Sequence, residues 1–463
     1  MNKYKYLLKN TGILAICNFS SKILVFLLVP LYTSVLTTNE YGAYDLISTT
    51  IQLLMPLVTA NIYEGTTRFL MDPNRVKKDV LHVGFVYITL GTAIFGIIVI
   101  INDALQVWDI LAEYSLLAFI YFFFSLFYQY MIQTAKGLEK IKYMGIAGVI
   151  GTFTTVGFNI LFLLIFKLGI IGFFLAYILG QAIPAFYLFI HMHMLCYLGF
   201  SINRELAKEM VHYSVPLVMN TLGWWVNSVS DRYVVTELRG ISANGIYSVS
   251  YKIPAILSTF QAIFTQSWQI SAVKEYEKKG YKTFFGNITY TINMIVSLGC
   301  MVLILFTRVF AKILYAKDFY QAWQYVPFLL ISVVLNACSG MLGPILSAKM
   351  NSKAMATSAI YGAITNIVLN VILVYAIGIQ GAAIATAISS LVIYICRRHA
   401  VGDDMNIHHR AKYVISWVII TLQAIVMIYT NYYWLQILLI AMYILISRKE
   451  IIGVIAKGKN IIK

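Results

Sequence analysis

Met355-Ala-Thr-Ser-Ala-Ile-Tyr-Gly-Ala-Ile-Thr-Asn-Ile-Val-Leu-Asn-Val-Ile-Leu-Val-Tyr-Ala-Ile377 runs for 23 residues without one charged side chain. Wound as an α-helix at 1.5 Å per residue it is about 35 Å long, enough to cross a hydrocarbon core of about 30 Å. Its apolar residues do not alternate, as they would in the strands of about ten residues that build a membrane barrel. Ile13–Leu36 reads the same way. Both are membrane-crossing helices, and working outward from them the whole chain divides into such blocks. Spans are expected at 11–36, 43–70, 80–101, 111–134, 144–166, 170–194 and 212–238. The series continues at 244–272, 284–307, 323–348, 354–377, 380–400, 412–430 and 432–447, fourteen in all.

Composition excludes a water-facing globule. Sixty per cent of the 463 residues are apolar and 12% charged, against about 25% charged in an ordinary soluble domain. The mean hydropathy is +0.77. A net charge of +16 would suggest nucleic acid in a soluble protein, but here the basic residues crowd the short gaps between apolar blocks. Gaps on the side of the N-terminus hold 26 of the 35 Lys and Arg, the opposite gaps five. That asymmetry is the positive-inside pattern, so both termini are expected in the cytoplasm. One miscounted helix would erase it. Cys17, Cys196, Cys300, Cys338 and Cys396 are scattered, with no spacing that suggests a disulfide framework or a metal site. The basic start (Lys3, Lys5, Lys9) leads into an apolar stretch too long for a signal peptide, which reads as a retained first helix.

The chain also repeats itself. Leu36-Thr-Thr-Asn-Glu-Tyr-Gly42-Ala-Tyr44 is echoed 203 residues later around Gly245-Ile-Tyr247, and Leu168-Gly-Ile-Ile-Gly172 by Ile377-Gly-Ile-Gln-Gly381. Ala135-Lys136 and Asn159 have counterparts in Ala348-Lys349 and Asn370, at offsets of 213 and 211. Four echoes in one order point to two homologous six-helix bundles of the same orientation. The expected organisation is an N-lobe over 1–195, a cytoplasmic connector over 196–211, a C-lobe over 212–400, and a further helix pair with a tail over 401–463. Two lobes with a cleft between them are a transporter plan.

No phosphate-binding loop, zinc motif or nucleophile elbow appears, so no catalytic residue, metal or cofactor is expected. His191, His193, His408 and His409 lie at cytoplasmic edges, where an interfacial role is the simpler reading than a proton relay. Charges within spans say more, because each costs at least about 2.5–3.5 kcal/mol near the bilayer centre. These are Lys22, Glu64, Arg68, Asp231, Arg232 and Lys252, on spans 1, 2, 7 and 8, the equivalent helices of the two repeats. They are expected to line a shared hydrated cavity. The plainer alternative for Glu64 and Arg68, four apart, is mutual neutralisation. Asp231 and Arg232 are adjacent and point about 100° apart, so one should take a partner from another helix. Trp224, Trp225 and Tyr233 are candidates for stacking on sugars. Seven of the eight prolines fall within spans and should bend them.

Lys22-Ile-Leu-Val-Phe-Leu-Leu-Val-Pro30-Leu-Tyr-Thr33, Glu40-Tyr-Gly42-Ala-Tyr-Asp-Leu46 and Arg68-Phe69 resemble the opening of Wzx-type polysaccharide repeat-unit flippases. Asp231-Arg232-Tyr233, Gly245-Ile246-Tyr247-Ser248 and Ser250-Tyr251-Lys252-Ile253 resemble the start of their second half. The resemblance covers essentially the whole chain through loose hydrophobic patterns. It implies the two-lobed fold of the multidrug/oligosaccharidyl-lipid/polysaccharide exporter superfamily. It further implies a bacterial cell-membrane flippase that moves undecaprenyl-pyrophosphate-linked oligosaccharide to the outer leaflet, beside glycosyltransferases and a polymerase, with no nucleic acid. Lys22, Arg68, Arg232 and Lys252 are the candidate cations for the pyrophosphate, and Glu64 and Asp231 the candidate ion-coupling acids. A drug antiporter of the same superfamily should carry more cavity carboxylates than cations, the reverse of the balance here. A lipid II flippase would share the fourteen spans. A membrane glycosyltransferase or polymerase would need large extramembrane loops, and no gap exceeds about 17 residues.

Overall fold

The computed structural model describes residues 26–453, apart from 198, 200–202, 277 and 407–409. Lys22, Cys17, His408 and His409 therefore lie outside the described residues, as do the side chains of Trp224 and Arg410. Every extended regular element described is a helix. In chain order these are α1 (Val29–Val35), α2 (Thr38–Val58), α3 (Ile62–Leu70), α4 (Lys77–Leu105) and α5 (Ser115–Gly137). They are followed by α6 (Ile141–Asn159, prolonged by a π-helical turn Ile160–Ile165), α7 (Gly169–His191) and α8 (Arg204–Arg239). Then come α9 (Ile241–Ser250), α10 (Lys252–Glu275), α11 (Tyr281–Leu314), α12 (Val326–Ala348) and α13 (Ser352–Ile377). The last are α14 (Ile379–Val401), α15 (Arg410–Tyr429) and α16 (Tyr433–Ile446).

Among the described residues, nine helices are long and apolar enough to cross a membrane, and the bent pair α2–α3 makes a tenth. Segments α1, α8, α9–α10 and α16 occupy the places of the other four expected spans. This is a multi-pass membrane protein. It divides into two compact units, Met1–Trp225 and Val226–Lys463, and the division falls inside α8.

Two expected spans are broken rather than continuous. In 43–70 the helix stops after Val58 and restarts at Ile62, with the pieces bent by 58°. Pro56 cannot donate to the carbonyl four residues back, and Ala60 and Asn61 then take left-handed backbone at φ 51° and 54°. In 244–272 the break at Tyr251 is a lost hydrogen bond only: Pro254 leaves the carbonyl of Ser250 without its helical donor, while Tyr251 keeps helical backbone at φ −69° and ψ −14°. Arg204–Arg239 is one helix, so the second half of the expected connector is already α-helical.

Each unit repeats the other in its packing. In the first, α6 crosses α7 where a Cβ on Gly172 would meet Phe162 Cβ at 2.9 Å, one on Gly180 would overlap Thr155 Oγ1, and one on Gly151 would meet Pro184 Cγ at 3.2 Å. In the second, α13 crosses α14 through Gly381 against the Leu373 backbone and Gly362 against Ile393. There Asn366 Nδ2 donates to Ser389 Oγ at 3.3 Å. Every one of these contacts maps onto its counterpart by adding 211 on the first helix and 209 on the second. Asn159 and Asn370, both fully buried, each donate to the carbonyl four residues back at 2.8 Å. Small residues let the helices approach where lipid supplies no hydrophobic drive.

Candidate functional site

Where α2 and α9 begin, the repeats diverge. Thr37 caps α2 with a full capping box, its hydroxyl accepting from Glu40 N while Glu40 accepts from Thr37 N. The matching position before α9 is Gly240, at φ 89°. Two turns further on, Tyr44 packs edge-on against Phe173 and Phe174, centroids 4.6 and 5.0 Å away. Its counterpart Tyr247 sits in a core with Val235, Leu329, Val374, Ala382 and Ala383, the last two matching Phe173 and Phe174.

The polar chemistry of the second unit gathers on Tyr247. Its hydroxyl donates to Asp231 Oδ2 at 2.5 Å, and that of Tyr251 donates to the same oxygen at 2.7 Å. The two hydroxyls are 3.0 Å apart, and Oδ1 accepts from the backbone N–H of Arg232 at 3.0 Å. Asp231 is 3% exposed. A buried carboxylate is tolerable only when hydrogen-bonded, and phenols one helical turn apart on α9 and the α9–α10 break deliver two such bonds from one face. The Arg232 guanidinium lies 5.5 Å from the centre of the Tyr251 ring, a cation–π distance. The cross-helix partner expected for Asp231 thus exists as a pair of tyrosines. In the sequence the one signal that marks these two tyrosines is their i,i+4 spacing after an embedded acid. Lys252 is half-buried at the first turn of α10. Tyr233 is half-buried, and Trp225 donates to Thr49 O at 3.0 Å.

In the first unit Gln133 Nε2 donates to Glu64 Oε1 at 2.5 Å. Thr67 Oγ1 in turn donates to Gln133 Oε1 at 2.9 Å. Glu64 is therefore held by α5, and Arg68, exposed, forms no ion pair with it among the described residues. The i,i+4 neutralisation does not occur because Gln133 satisfies the carboxylate. Among the described residues no group of three His, Cys, Asp or Glu could hold a metal. What remains is one hydrogen-bonded acid in each unit, Glu64 held by Gln133 and Asp231 by Tyr247 and Tyr251.

The sequence pattern of the family described as polysaccharide biosynthesis proteins matches residues 7–268, more than half of the chain. The chain belongs to this family. Lys22, Glu64, Arg68, Asp231, Arg232 and Lys252 all fall in the matched region. A probable low-salt glycan biosynthesis flippase, Agl15 of Haloferax volcanii, is 24% identical over 206 residues, 43% of each chain, so the match spans less than half of that relative. The fold is similar to that of the lipid II flippase MurJ, a structure described as inward closed, with TM-score 0.73, 14% identity, and 95% and 99% of the two chains covered. An inward-facing multidrug resistance transporter of the MATE family in the MOP superfamily superposes with TM-score 0.68 and 14% identity over 84% and 98%. A MOP superfamily transporter from Pyrococcus furiosus, of reversed binding-pocket polarity, gives 0.59 and 14% over 85% and 95%. These neighbours are transporters, and the polysaccharide family supplies the functional direction.

Proposed function

We propose that this polysaccharide biosynthesis protein is a flippase that carries undecaprenyl-pyrophosphate-linked oligosaccharides from the cytoplasmic to the outer leaflet of a bacterial cell membrane. The observation that carries the reading is family membership on a transporter fold, joined to embedded cations that an anionic cargo needs. A pyrophosphate in bare hydrocarbon is prohibitive by desolvation, and guanidinium or ammonium groups replace its water. Lys22, Arg68, Arg232 and Lys252 are the proposed phosphate contacts. Asp231 and Glu64 are the proposed acids for ion coupling, Asp231 because its phenol ligands can release it when it accepts a proton. The termini are proposed to be cytoplasmic, with 1–195 and 212–400 as the lobes and 196–211 joining them. Glycosyltransferases would supply the cargo and a polymerase consume it, while the protein makes or breaks no covalent bond.

The test is reconstitution in proteoliposomes with a fluorescent prenyl-pyrophosphate oligosaccharide and an impermeant quencher outside. Protection of about half the probe that falls with time only in protein-containing vesicles is expected. Transport of cationic dyes with no movement of the glycolipid would replace this reading with a drug antiporter.

A further inference from the structure

A groove of about 830 Å³ lies in the first unit between α4 and the opening turns of α8. Its polarity is graded. Arg204, Lys208 and His212 mark successive turns of α8 on its lining, with Leu90, Val215 and Pro216 below them. At 1.5 Å per residue Arg204 and Lys208 stand about 18 and 12 Å along the axis from Pro216. All six are exposed, Leu90 by 52% and Val215 by 43%. The other side of the same turns is the buried one: Leu206, Met210 and Ser214 are covered, and Ser214 packs where a Cβ on Gly65 would be. Folding within the unit therefore leaves this face uncovered and half basic, half apolar.

The cations are available. Glu209, the acid nearest in sequence to Lys208, is taken by Arg75 at 2.5 Å. Glu205 lies about 100° around the helix from Arg204. Neither Arg204 nor Lys208 forms an ion pair among the described residues. An uncovered basic row at one end of a membrane helix, running into an apolar slot, matches one molecule: an amphiphile with its anion at the interface and its chain in the bilayer.

We propose that this groove is a binding site for an anionic membrane phospholipid, its phosphate held by Arg204 and Lys208 with His212 beside it, and an acyl chain laid over Leu90, Val215 and Pro216. The site concerns the bilayer around the protein and stands whatever the transported cargo is. It gives the junction helix α8 a lipid-dependent anchor on the first unit.

The experiment is native mass spectrometry of the full chain in detergent, titrated with phosphatidylglycerol and, separately, phosphatidylcholine. One retained phosphatidylglycerol is expected, with phosphatidylcholine far weaker. The double substitution Arg204→Gln/Lys208→Gln should weaken retention about 30-fold, from about 1 kcal/mol for each basic residue near an anionic surface. Val215→Trp, which keeps both charges and fills the slot, should also displace the lipid. Equal retention by the charge variant, or equal binding of the zwitterionic lipid, overturns the proposal. So does displacement of phosphatidylglycerol by an equimolar prenyl pyrophosphate, which would make the groove a cargo site.

Discussion

Tyr44 and Tyr247 occupy the same position in two copies of one scaffold and are put to different use. Around Tyr44 the space is filled by Phe173 and Phe174, and the position that matches Asp231, 203 residues earlier, is the buried Leu28. Around Tyr247 the two phenylalanines are alanines, and the hydroxyl is turned onto Asp231. The helix crossings behind both tyrosines are unchanged. Duplication therefore preserved the spacing of helices, which small residues dictate, while one copy exchanged aromatic bulk for a charge with its hydrogen-bond donors. The consequence is that function should be lost mainly through the second copy, and stability through either.

The largest expected effect tests that asymmetry. Arg232→Gln keeps hydrogen-bonding ability and removes charge, and by the roughly 2–5 kcal/mol that a buried charge contact is worth, glycolipid flux should fall about 30-fold or more at normal abundance. Arg232→Lys should recover part of it if charge dominates, and little if the planar guanidinium is needed. The same assay on Arg68→Gln, exposed in the first unit, should show a smaller loss. Unchanged flux in both variants would make these charges structural.

Equivalent glycines come next. A Cβ on Gly381 would overlap the backbone C and O of Leu373, which cannot step aside. One on Gly172 would meet side-chain carbons at 2.9 Å. Overpacking of this kind costs about 1–3 kcal/mol, so Gly381→Ala should sit at or above the top of that range and Gly172→Ala near the bottom. Thermal unfolding in detergent measures the order. Equal losses would mean that the two crossings are equally plastic.

Smaller again is the pair of hydroxyls. Tyr247→Phe removes a charge-assisted bond, worth about 1.5–3 kcal/mol, whereas Tyr44→Phe, on a ring packed against Phe173 and Phe174, removes at most a neutral one, worth about 0.5–1.5 kcal/mol. Expression and unfolding temperature of the two variants should separate in that order, and Asp231→Asn should shrink the gap. A gap that persists in Asp231→Asn would show that Asp231 is not what distinguishes them.

The scaffold was legible because membrane helices announce themselves by length and charge asymmetry, and the repeat by glycines that a close crossing requires. The breaks at 59–61 and 251 were only half legible. Pro56 and Pro254 promised bends, but the unwinding rests on Ala60 and Asn61 turning left-handed, which no local propensity predicts for alanine. Of the site, the charged residues were visible because hydrocarbon makes them costly. Their partners Tyr247, Tyr251 and Gln133 were not, since tyrosine and glutamine are unremarkable in a chain with 33 tyrosines, and only tertiary packing selects which ones turn onto an acid.

The smallest predicted effect lies outside the spans, where the repeat pairs Lys136 with Lys349. Lys349 Nζ meets Asp404 Oδ2 at 2.8 Å, and Lys136 is exposed with no ion pair among the described residues. The hydrogen bond to Asp404 holds the Lys349 ammonium above its usual range, with burial opposing. Its side chain is 38% exposed, so screening limits the pair to about 0.2–1 kcal/mol. Lys349→Ala should lower the unfolding temperature slightly, and Lys136→Ala should leave it where it is. The sign with pH follows from linkage. A lysine whose folded pKa is raised contributes fully below its unfolded value and loses that contribution as pH climbs through the folded one. The difference between wild type and Lys349→Ala should therefore hold constant from pH 7 to 9, windows chosen about one to three units below the ordinary lysine value, and close in more alkaline solution. Calorimetry across that range, at low salt where exposed pairs are strongest, reads it. A gap that widens with rising pH would mean that Lys349 acts through something other than its charge.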